Sequence, residues 1–175
     1  MEILKSEQLY SGPIFDLQRY NVRLPNGKVA KRDVLLHNGA AVVIAVAPDG
    51  RLVTVRQYRH GPQKVMLELP AGKLDPGEEP KACALRELKE ETGYRAQRIR
   101  QLFMLHPVAA YCSEEVYMFL AEELTQGQTN LDEGEFVEVE LHRVENLLSM
   151  IEAGEISDMK TVAGVLYYAR IRASS

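Results

Sequence analysis

The sequence has few of the features that mark secreted, zinc-binding or nucleic-acid-binding proteins. It has only two cysteines, Cys83 and Cys112, which are too few for a disulfide framework and lack the spacing of a zinc site. We interpret both as free thiols in a reducing cytosol. The net charge is −4 and no basic stripe stands out, which argues against general affinity for nucleic acid.

Long apolar segments are also missing. The longest apolar run, AAVVIAVA at residues 40–47, is far too short to cross a bilayer. The start of the chain, MEILKSEQ, lacks the basic and apolar regions of a signal peptide. We therefore expect a cytoplasmic protein without membrane contact. The 175 residues, of which 46% are hydrophobic, are enough for one domain with a sizeable core.

Most of the chain is predicted to form β-strands. Asn26-Gly27 is a strong hairpin signal between extended stretches, and Asp49-Gly50 repeats the arrangement after the run at 40–47. Further strands are predicted in KVMLELP, RIRQLFMLH, EEVYMFLAEEL and FVEVELHRV. A polar loop, TQGQTNLDEGE, precedes the last of these strands.

One helix is predicted in the middle of the chain and two near its end. Pro80 suits the first helical position, and Gly93 suits a left-handed cap after Thr92. The two later helices are predicted at about residues 144–153 and 157–171. Strands on both sides of one helix, with helices at the end, predict a mixed α/β (α+β) sandwich rather than a regular βαβ series.

The middle helix carries a concentration of acidic side chains. Glu87, Glu90 and Glu91 fall within an arc of about 100° on the helix surface. Neither Arg86 nor Lys89 follows a glutamate at the distance that favours ion pairing, so the acids do not look arranged for such pairs. A solvated charged face is one interpretation. The alternative is a site for Mg²⁺, which takes oxygen ligands and often shares its remaining positions with substrate phosphates.

The surroundings of these glutamates resemble the Nudix box. From residue 72 the sequence reads GKLDPGEEPKACALRELKEETGY. The positions that match the box are Gly72, Glu78, Arg86, Glu87, Leu88, Glu90, Glu91 and Gly93, with Tyr94 in the final bulky position. The resemblance implies a Nudix fold, which is a mixed-sheet α/β/α sandwich. It also implies hydrolysis of a nucleoside diphosphate linked to another moiety, with Mg²⁺ or Mn²⁺ as cofactor.

The resemblance also implies roles within the box. The implied metal ligands are Glu87, Glu91, Glu90 and the backbone carbonyl of Ala71. Glu78 and Arg86 are implied to form a pair that fixes the loop against the helix. The chemical need for a cation is clear from the charges, because three glutamates would repel a polyanionic pyrophosphate unless cations bridged them.

The residues before the box narrow the resemblance. VRQYR at 55–59, followed by LELPAGKLDPGE at 67–78, is similar to the ADP-ribose pyrophosphatase branch. That branch implies an N-terminal antiparallel β-segment at residues 1–40, often exchanged across a homodimer, and a Nudix hydrolase domain at 41–175. Arg56 and Arg59 are implied contacts of the substrate phosphates or ribose. A strand-end ion pair is the alternative for both arginines.

The resemblance places the general base in the acidic loop downstream. The candidates are Asp132, Glu133 and Glu135, among which we favour Glu133 and then Glu135. Glu90 is a further candidate for a catalytic role within the box. A loop that contains Gly134 can swing a carboxylate over the site as a lid, although a solvated acidic turn has the same composition.

The segment after the box departs from the ADP-ribose pattern. Pro107 comes earlier than the proline of that branch, and Tyr111 lies where other Nudix substrates, including dinucleoside polyphosphates, are associated with a tyrosine. Tyr111 could stack on a nucleobase or be an ordinary loop aromatic.

We therefore expect an enzyme that hydrolyses ADP-ribose or a related nucleoside diphosphate sugar, giving AMP and ribose 5-phosphate from ADP-ribose. GDP-mannose and dinucleoside polyphosphates are alternative substrates. A non-catalytic nucleotide-sugar sensor is an alternative of another class, although such proteins usually lose box glutamates and this chain keeps them all.

Overall fold

A computed structural model of the protein describes residues 1–129 and 136–174. Within these ranges the chain forms ten strands in two sheets, and three helices. The first sheet is antiparallel and contains, in this order, β1 (Glu2–Ser11), β2 (Asp16–Arg23) and β3 (Val29–Leu36). Its second hairpin turns at the predicted Asn26-Gly27 position, where Gly27 has a φ of 80°. The predicted N-terminal antiparallel extension is thereby confirmed.

The second sheet has five strands in one path and two short strands beside it. The path runs β10-β5-β4-β9-β8, while β6 pairs with β5 and β7 pairs with β4. The strands are β4 (Ala40–Val46), β5 (Leu52–Arg59), β6 (Lys64–Glu68), β7 (Ala71–Lys73), β8 (Tyr94–Leu105), β9 (Val116–Gln126) and β10 (Val137–His142). β4 and β9 are parallel and the other pairs are antiparallel, so the sheet is mixed as predicted.

The helices begin and end close to the predicted positions. They are α1 (Pro80–Thr92), α2 (Val144–Glu152) and α3 (Met159–Arg172). α1 begins at Pro80 and is capped by Gly93, whose φ of 74° lies in the left-handed region that favours glycine. Asp158 caps α3, because its side chain accepts a hydrogen bond of 2.9 Å from the backbone nitrogen of Thr161.

The helices cover opposite faces of the second sheet. Alternate residues of β4 point to opposite sides: Val43 belongs to a core shared with Leu88 of α1, and Ile44 belongs to a core shared with Leu147 of α2 and Val165 of α3. The result is the α/β/α sandwich that the Nudix resemblance implied. None of the helices in the described ranges has the length and apolar character needed to span a membrane.

The first sheet lies apart from this sandwich and touches it at few points. Leu35 donates a backbone hydrogen bond of 2.8 Å to Tyr111, in the connection between β8 and β9. Lys73 Nζ donates to the carbonyl of Pro13 at 2.7 Å. All ten residues of β1 are exposed. The division of the chain into a dimer-forming β-segment at 1–40, which is not an independent unit, and a Nudix hydrolase domain at 41–175 stays a prediction.

Candidate active site

Glu78 and Arg86 close the loop that leads into α1. Arg86 donates from Nε to Glu78 Oε1 at 3.0 Å and from Nη2 to Glu78 Oε2 at 2.9 Å. The same carboxylate accepts a hydrogen bond of 3.0 Å from the backbone nitrogen of Asp75. The hydrogen bonds from Arg86 lower the pKa of Glu78 to about 2. The pair therefore links the start of the loop to the second turn of the helix.

Arg86 also binds two of the three clustered glutamates. Its Nη1 donates to Glu87 at 2.6 Å and to Glu90 at 3.1 Å. The expectation that the acids are not arranged for ion pairing is therefore wrong. That expectation considered only bases that follow an acid, whereas Arg86 precedes Glu90 by one helical turn. In the described ranges no group of three or more His, Cys, Asp or Glu side chains is arranged to surround a metal ion.

Gly72 leaves the space that the Glu87 side chain occupies. Gly72 lies on β7 and pairs with Ala41 of β4, so its backbone is held by the sheet. A Cβ atom at position 72 would lie 1.8 Å from Glu87 Cδ and 1.9 Å from Oε1. Any side chain at position 72 would therefore displace the Glu87 carboxylate. This clash explains why the box has a glycine at this position.

Glu91 is held against the start of β7. Its side chain is buried, at 3% exposure, and its Oε2 accepts a hydrogen bond of 3.0 Å from the backbone nitrogen of Ala71. Burial of a carboxylate is costly unless hydrogen bonds or a cation compensate it. Glu87, Glu91 and the Ala71 carbonyl supply oxygen donors, the type that Mg²⁺ and Mn²⁺ take. The donor chemistry of these residues therefore suits a divalent cation.

Cys83 lies fully buried behind the box. Its Sγ donates to the carbonyls of Gly72 and Lys73, each at 3.6 Å. Burial and the nearby charges of Glu78 and Glu87 raise the pKa of the thiol to about 12. Cys83 therefore remains a neutral thiol that packs against β7, which agrees with its interpretation as a free thiol.

A cleft of about 310 Å³ opens beside Ala71 and Gly72. Arg59 lines it, as does Pro107 from the connection between β8 and β9. The start of α3 closes one side with Asp158 and Lys160. Ala71 and Gly72, which neighbour the box carboxylates, therefore line the same cleft as Arg59, one of the two predicted substrate arginines.

Sequence reasoning missed a charged network at this cleft. Glu68 is only 1% exposed, and Arg59 donates to it from Nε at 2.8 Å and from Nη2 at 2.9 Å. Lys160 Nζ donates to Glu68 as well and contacts Asp158 at 2.9 Å. Burial raises the pKa of Glu68, but the bonds and charges of Arg59 and Lys160 outweigh it and lower the pKa. A lone acid inside the apolar LELP run was the signal for this network.

Other predicted site residues lie away from the cleft lining or outside the described ranges. Arg56 forms an ion pair with Glu140, the contact that we gave as the alternative interpretation. The Tyr111 side chain is 54% exposed, and its backbone binds the first sheet at Leu35. The candidate general bases lie outside the described residues; they are Asp132, Glu133 and Glu135.

The ion pair at Glu78 leads to a pH-dependent stability. Because the pKa of Glu78 falls from 4.5 to about 2 on folding, its carboxylate stabilises the fold above pH 4.5 and loses this effect as the pH falls towards 2. The Tm difference between wild type and Glu78→Gln should be largest near about pH 6 and shrink markedly by about pH 3. Glu79→Gln, an exposed neighbour without a side-chain cap bond, is the matched control and should change Tm little at either pH. A Glu78→Gln deficit that stays constant would contradict the assignment.

Comparison with known sequences shows the family. The family model described as NUDIX domain matches residues 35–163. ADP-ribose pyrophosphatase of Bacillus subtilis (strain 168) is 42% identical over 166 residues, which cover 94% of this chain and 90% of the relative. Methanol dehydrogenase activator of Bacillus methanolicus is 39% identical with the same coverage. GDP-mannose pyrophosphatase of Citrobacter koseri is 34% identical over 155 residues, 82% of this chain and 81% of the relative.

A solved structure shares the fold. The protein described as "Crystal structure of ADP compounds hydrolase" has a TM-score of 0.88, with 99% of this chain and 94% of that chain covered, at 22% sequence identity. The family model spans most of the sequence, and relatives at more than 30% identity span nearly all of it. The carboxylates of α1, the glycine of β7 and the α/β/α layers are thus those of a protein that belongs to the Nudix family.

Proposed function

We propose that this protein is a cytoplasmic enzyme that hydrolyses the pyrophosphate bond of ADP-ribose or a related nucleoside diphosphate sugar with Mg²⁺ or Mn²⁺. The products are a nucleoside monophosphate, AMP from ADP-ribose, and a sugar phosphate. The observation that carries the proposal is the placement of Glu87 over Gly72 and of Glu91 against Ala71, at the edge of a cleft. Relatives that share most of the chain are named ADP-ribose and GDP-mannose pyrophosphatases, which supports the substrate class.

The residues of this chain would divide the work as follows. Glu87 and Glu91, with the Ala71 carbonyl, would hold the divalent ion, which offsets phosphate charge and lowers the pKa of a bound water. Arg86 keeps Glu87 and Glu90 in place through its hydrogen bonds. Water adds to one phosphorus of the anhydride, the bridging P–O bond breaks, and a carboxylate takes the proton of the water. We keep Glu133, then Glu135, as the proposed general base.

A substrate panel tests the proposal. We expect Mg²⁺-dependent release of a monophosphate from ADP-ribose, GDP-mannose and other nucleotide sugars, with kcat/KM at least about tenfold above that for diadenosine polyphosphates. A preference for diadenosine polyphosphates would overturn the substrate class. Binding without turnover of any panel member would favour a nucleotide-sugar sensor over an enzyme.

We also propose that the first sheet forms a homodimer with a second copy of the chain. β1 lies at the edge of this sheet with all ten of its residues exposed, and a long exposed edge strand invites pairing or cover. The large apolar side chains exposed on and around this sheet are Met1, Ile3, Leu4, Leu9, Tyr10, Ile14, Phe15 and Val29. A concentration of exposed apolar side chains is typical of an interaction surface. A self-complementary edge suits a two-fold dimer.

The dimer predicts a specific effect of a charge on β1. Ile3 is 61% exposed, and Ile3→Glu should weaken the dimer about 30-fold, because a buried charge replaces an apolar contact at the interface. Molar mass measured by light scattering over a dilution series gives the dissociation constant. Leu166→Glu, an exposed apolar position on α3, is the matched control and should leave it unchanged. A wild-type protein that is monomeric at all concentrations would contradict the proposal.

A further inference from the structure

We propose that the cleft beside Ala71 and Gly72 binds the sugar half of the substrate, and that Lys160 is a specificity-determining residue that recognises this sugar. The inference rests on the proposed function, because it takes the diphosphate of a nucleotide sugar to lie at Glu87 and Glu91. It adds a role for α3, whose residues formed no part of the site expected from the sequence.

The position and size of the cleft suit one half of a nucleotide sugar. Ala71 and Gly72 both line the cleft. Ala71 also donates to Glu91, and Gly72 lies next to the Glu87 carboxylate. A diphosphate bridged to those carboxylates by a divalent cation would therefore lie beside the cleft, and one of its two substituents could extend along it. The cleft's volume of about 310 Å³ is at the low end of the range for small-molecule sites, and such a volume fits a sugar better than a whole nucleotide.

The lining of the cleft has the chemistry of a sugar site. It combines hydrogen-bond donors and acceptors, which are Arg59, Lys73, Lys160, Glu114, Asp158 and His37. Sugar hydroxyls both donate and accept, so they need this mixture. A nucleobase instead gains most from stacking on a large aromatic ring. Among the described residues no Phe, Tyr or Trp side chain lines the cleft, which favours the sugar over the base.

Lys160 is held in place and still has a donor to offer. Its ammonium has three N–H donors, and the structure gives it two carboxylate partners, Glu68 and Asp158. One N–H therefore remains for a ligand in the cleft that Lys160 lines. The two partners come from different elements, β6 and the cap of α3, so the ammonium is fixed before a ligand arrives.

A purely structural role for Lys160 is the competing explanation. Glu68 is buried and needs compensation, but Arg59 already supplies two hydrogen bonds to its two oxygens. Removal of Lys160 therefore leaves Glu68 with a charged, bidentate partner. A structural role would lower stability and affect all ligands alike, whereas a sugar contact would affect ligands that carry the sugar.

Lys160→Met separates the two explanations through ligand binding. In isothermal titration of the Mg²⁺-loaded protein, the Kd for ribose 5-phosphate should rise about tenfold, whereas the Kd for AMP should change by less than about twofold. With ADP-ribose as substrate, KM should rise about tenfold while kcat changes by less than about threefold, because the contact binds ground and transition states alike. Lys64→Met is the matched control: Lys64 donates to Ser157 at 3.2 Å, close to the same helix, yet does not line the cleft.

Three outcomes would overturn the inference. They are equal weakening of AMP and ribose 5-phosphate, no change in either Kd, and no binding of ribose 5-phosphate to the wild-type protein. If Lys160→Met does not fold, Glu114→Gln tests the same cleft. The Glu114 carboxylate lies 3.7 Å from His37 Nδ1, beyond hydrogen-bond distance, so its oxygens can accept a hydrogen bond from a sugar hydroxyl. Its loss should therefore change the ratio of kcat/KM for ADP-ribose to kcat/KM for GDP-mannose by about fivefold or more. An unchanged ratio would contradict the proposal.

The same data distinguish this inference from the proposed function. If no nucleotide sugar is hydrolysed but ribose 5-phosphate binds in a Lys160-dependent manner, the proposed function fails and the sugar site stands. If nucleotide sugars are hydrolysed but Lys160→Met does not alter sugar-phosphate binding, the function stands and the sugar site fails.

Discussion

Glu91→Gln should reduce kcat/KM for the preferred nucleoside diphosphate sugar by about a thousandfold, because loss of the charged oxygen removes several kcal/mol of metal-dependent stabilisation. The substitution is close to isosteric, and the amide oxygen can still accept the hydrogen bond from Ala71. We therefore expect a folded protein with an unchanged circular dichroism spectrum. Turnover is measured as release of the monophosphate over a range of Mg²⁺ concentrations.

Glu79→Gln provides the control for this experiment. Glu79 lies in the same box, carries the same charge and is exposed at the N-terminus of α1 without a side-chain cap bond. Its substitution should leave kcat/KM within about twofold of the wild-type value, because exposed charges contribute little energy. Retention of more than about a tenth of wild-type activity by Glu91→Gln would show that Glu91 does not hold the cation on which turnover depends.

The second large effect is expected from a single methyl group. Gly72→Ala should lower kcat/KM about 100-fold, because misplacement of a reactive group by about 1 Å can have an effect of that size. The added Cβ would lie 1.8 Å from Glu87 Cδ, so the carboxylate has to move. The group that moves is the end of a flexible side chain, so we expect only a small change in Tm. Activity and Tm are measured on the same preparations.

Gly61→Ala is the matched control for this substitution. A Cβ at Gly61 would meet nothing within 4 Å, so activity and Tm should both stay near wild type. A double-mutant cycle sharpens the test. If Gly72→Ala acts through Glu87, then adding Gly72→Ala to Glu87→Ala should produce little further loss. Fully additive losses would contradict a route through this carboxylate.

Local chemistry explains why some of the fold could be predicted from the sequence. The ends of α1 followed from Pro80 and Gly93, residues whose backbone preferences act without help from distant parts of the chain. The hairpin at Asn26-Gly27 followed from turn chemistry of the same kind. The layers followed from strands that flank one helix, together with the resemblance of residues 72–94 to the Nudix box.

Contacts between distant residues could not be predicted in this way. Lys160 and Glu68 are 92 positions apart, and only the tertiary fold brings them together at the cleft. The ends of some strands also depend on distant pairing. The strand RIRQLFMLH was predicted at 98–106, but β8 begins at Tyr94, because Tyr94 pairs with Gln126 of β9. The ion pair of Arg86 with Glu90 is local, but the base precedes the acid, which is the less favourable order on a helix.

The choice among nucleotide-sugar substrates depends on residues outside the Nudix box. The glutamates of α1 account for a cation and a diphosphate, whatever group is attached. The cleft, with Lys160 and Glu114, is where different sugars would be distinguished. The general base is still the prediction of Glu133, or else Glu135, because these residues lie outside the described ranges.

The most direct test of the central claim is a ³¹P NMR time course of ADP-ribose with the wild-type protein and Mg²⁺. We expect the diphosphate resonances to disappear and two phosphomonoester resonances, from AMP and ribose 5-phosphate, to grow in equal amounts. Addition of a chelator should stop the reaction. An unchanged diphosphate spectrum for ADP-ribose and for GDP-mannose, from a folded protein with Mg²⁺ present, would contradict the central claim.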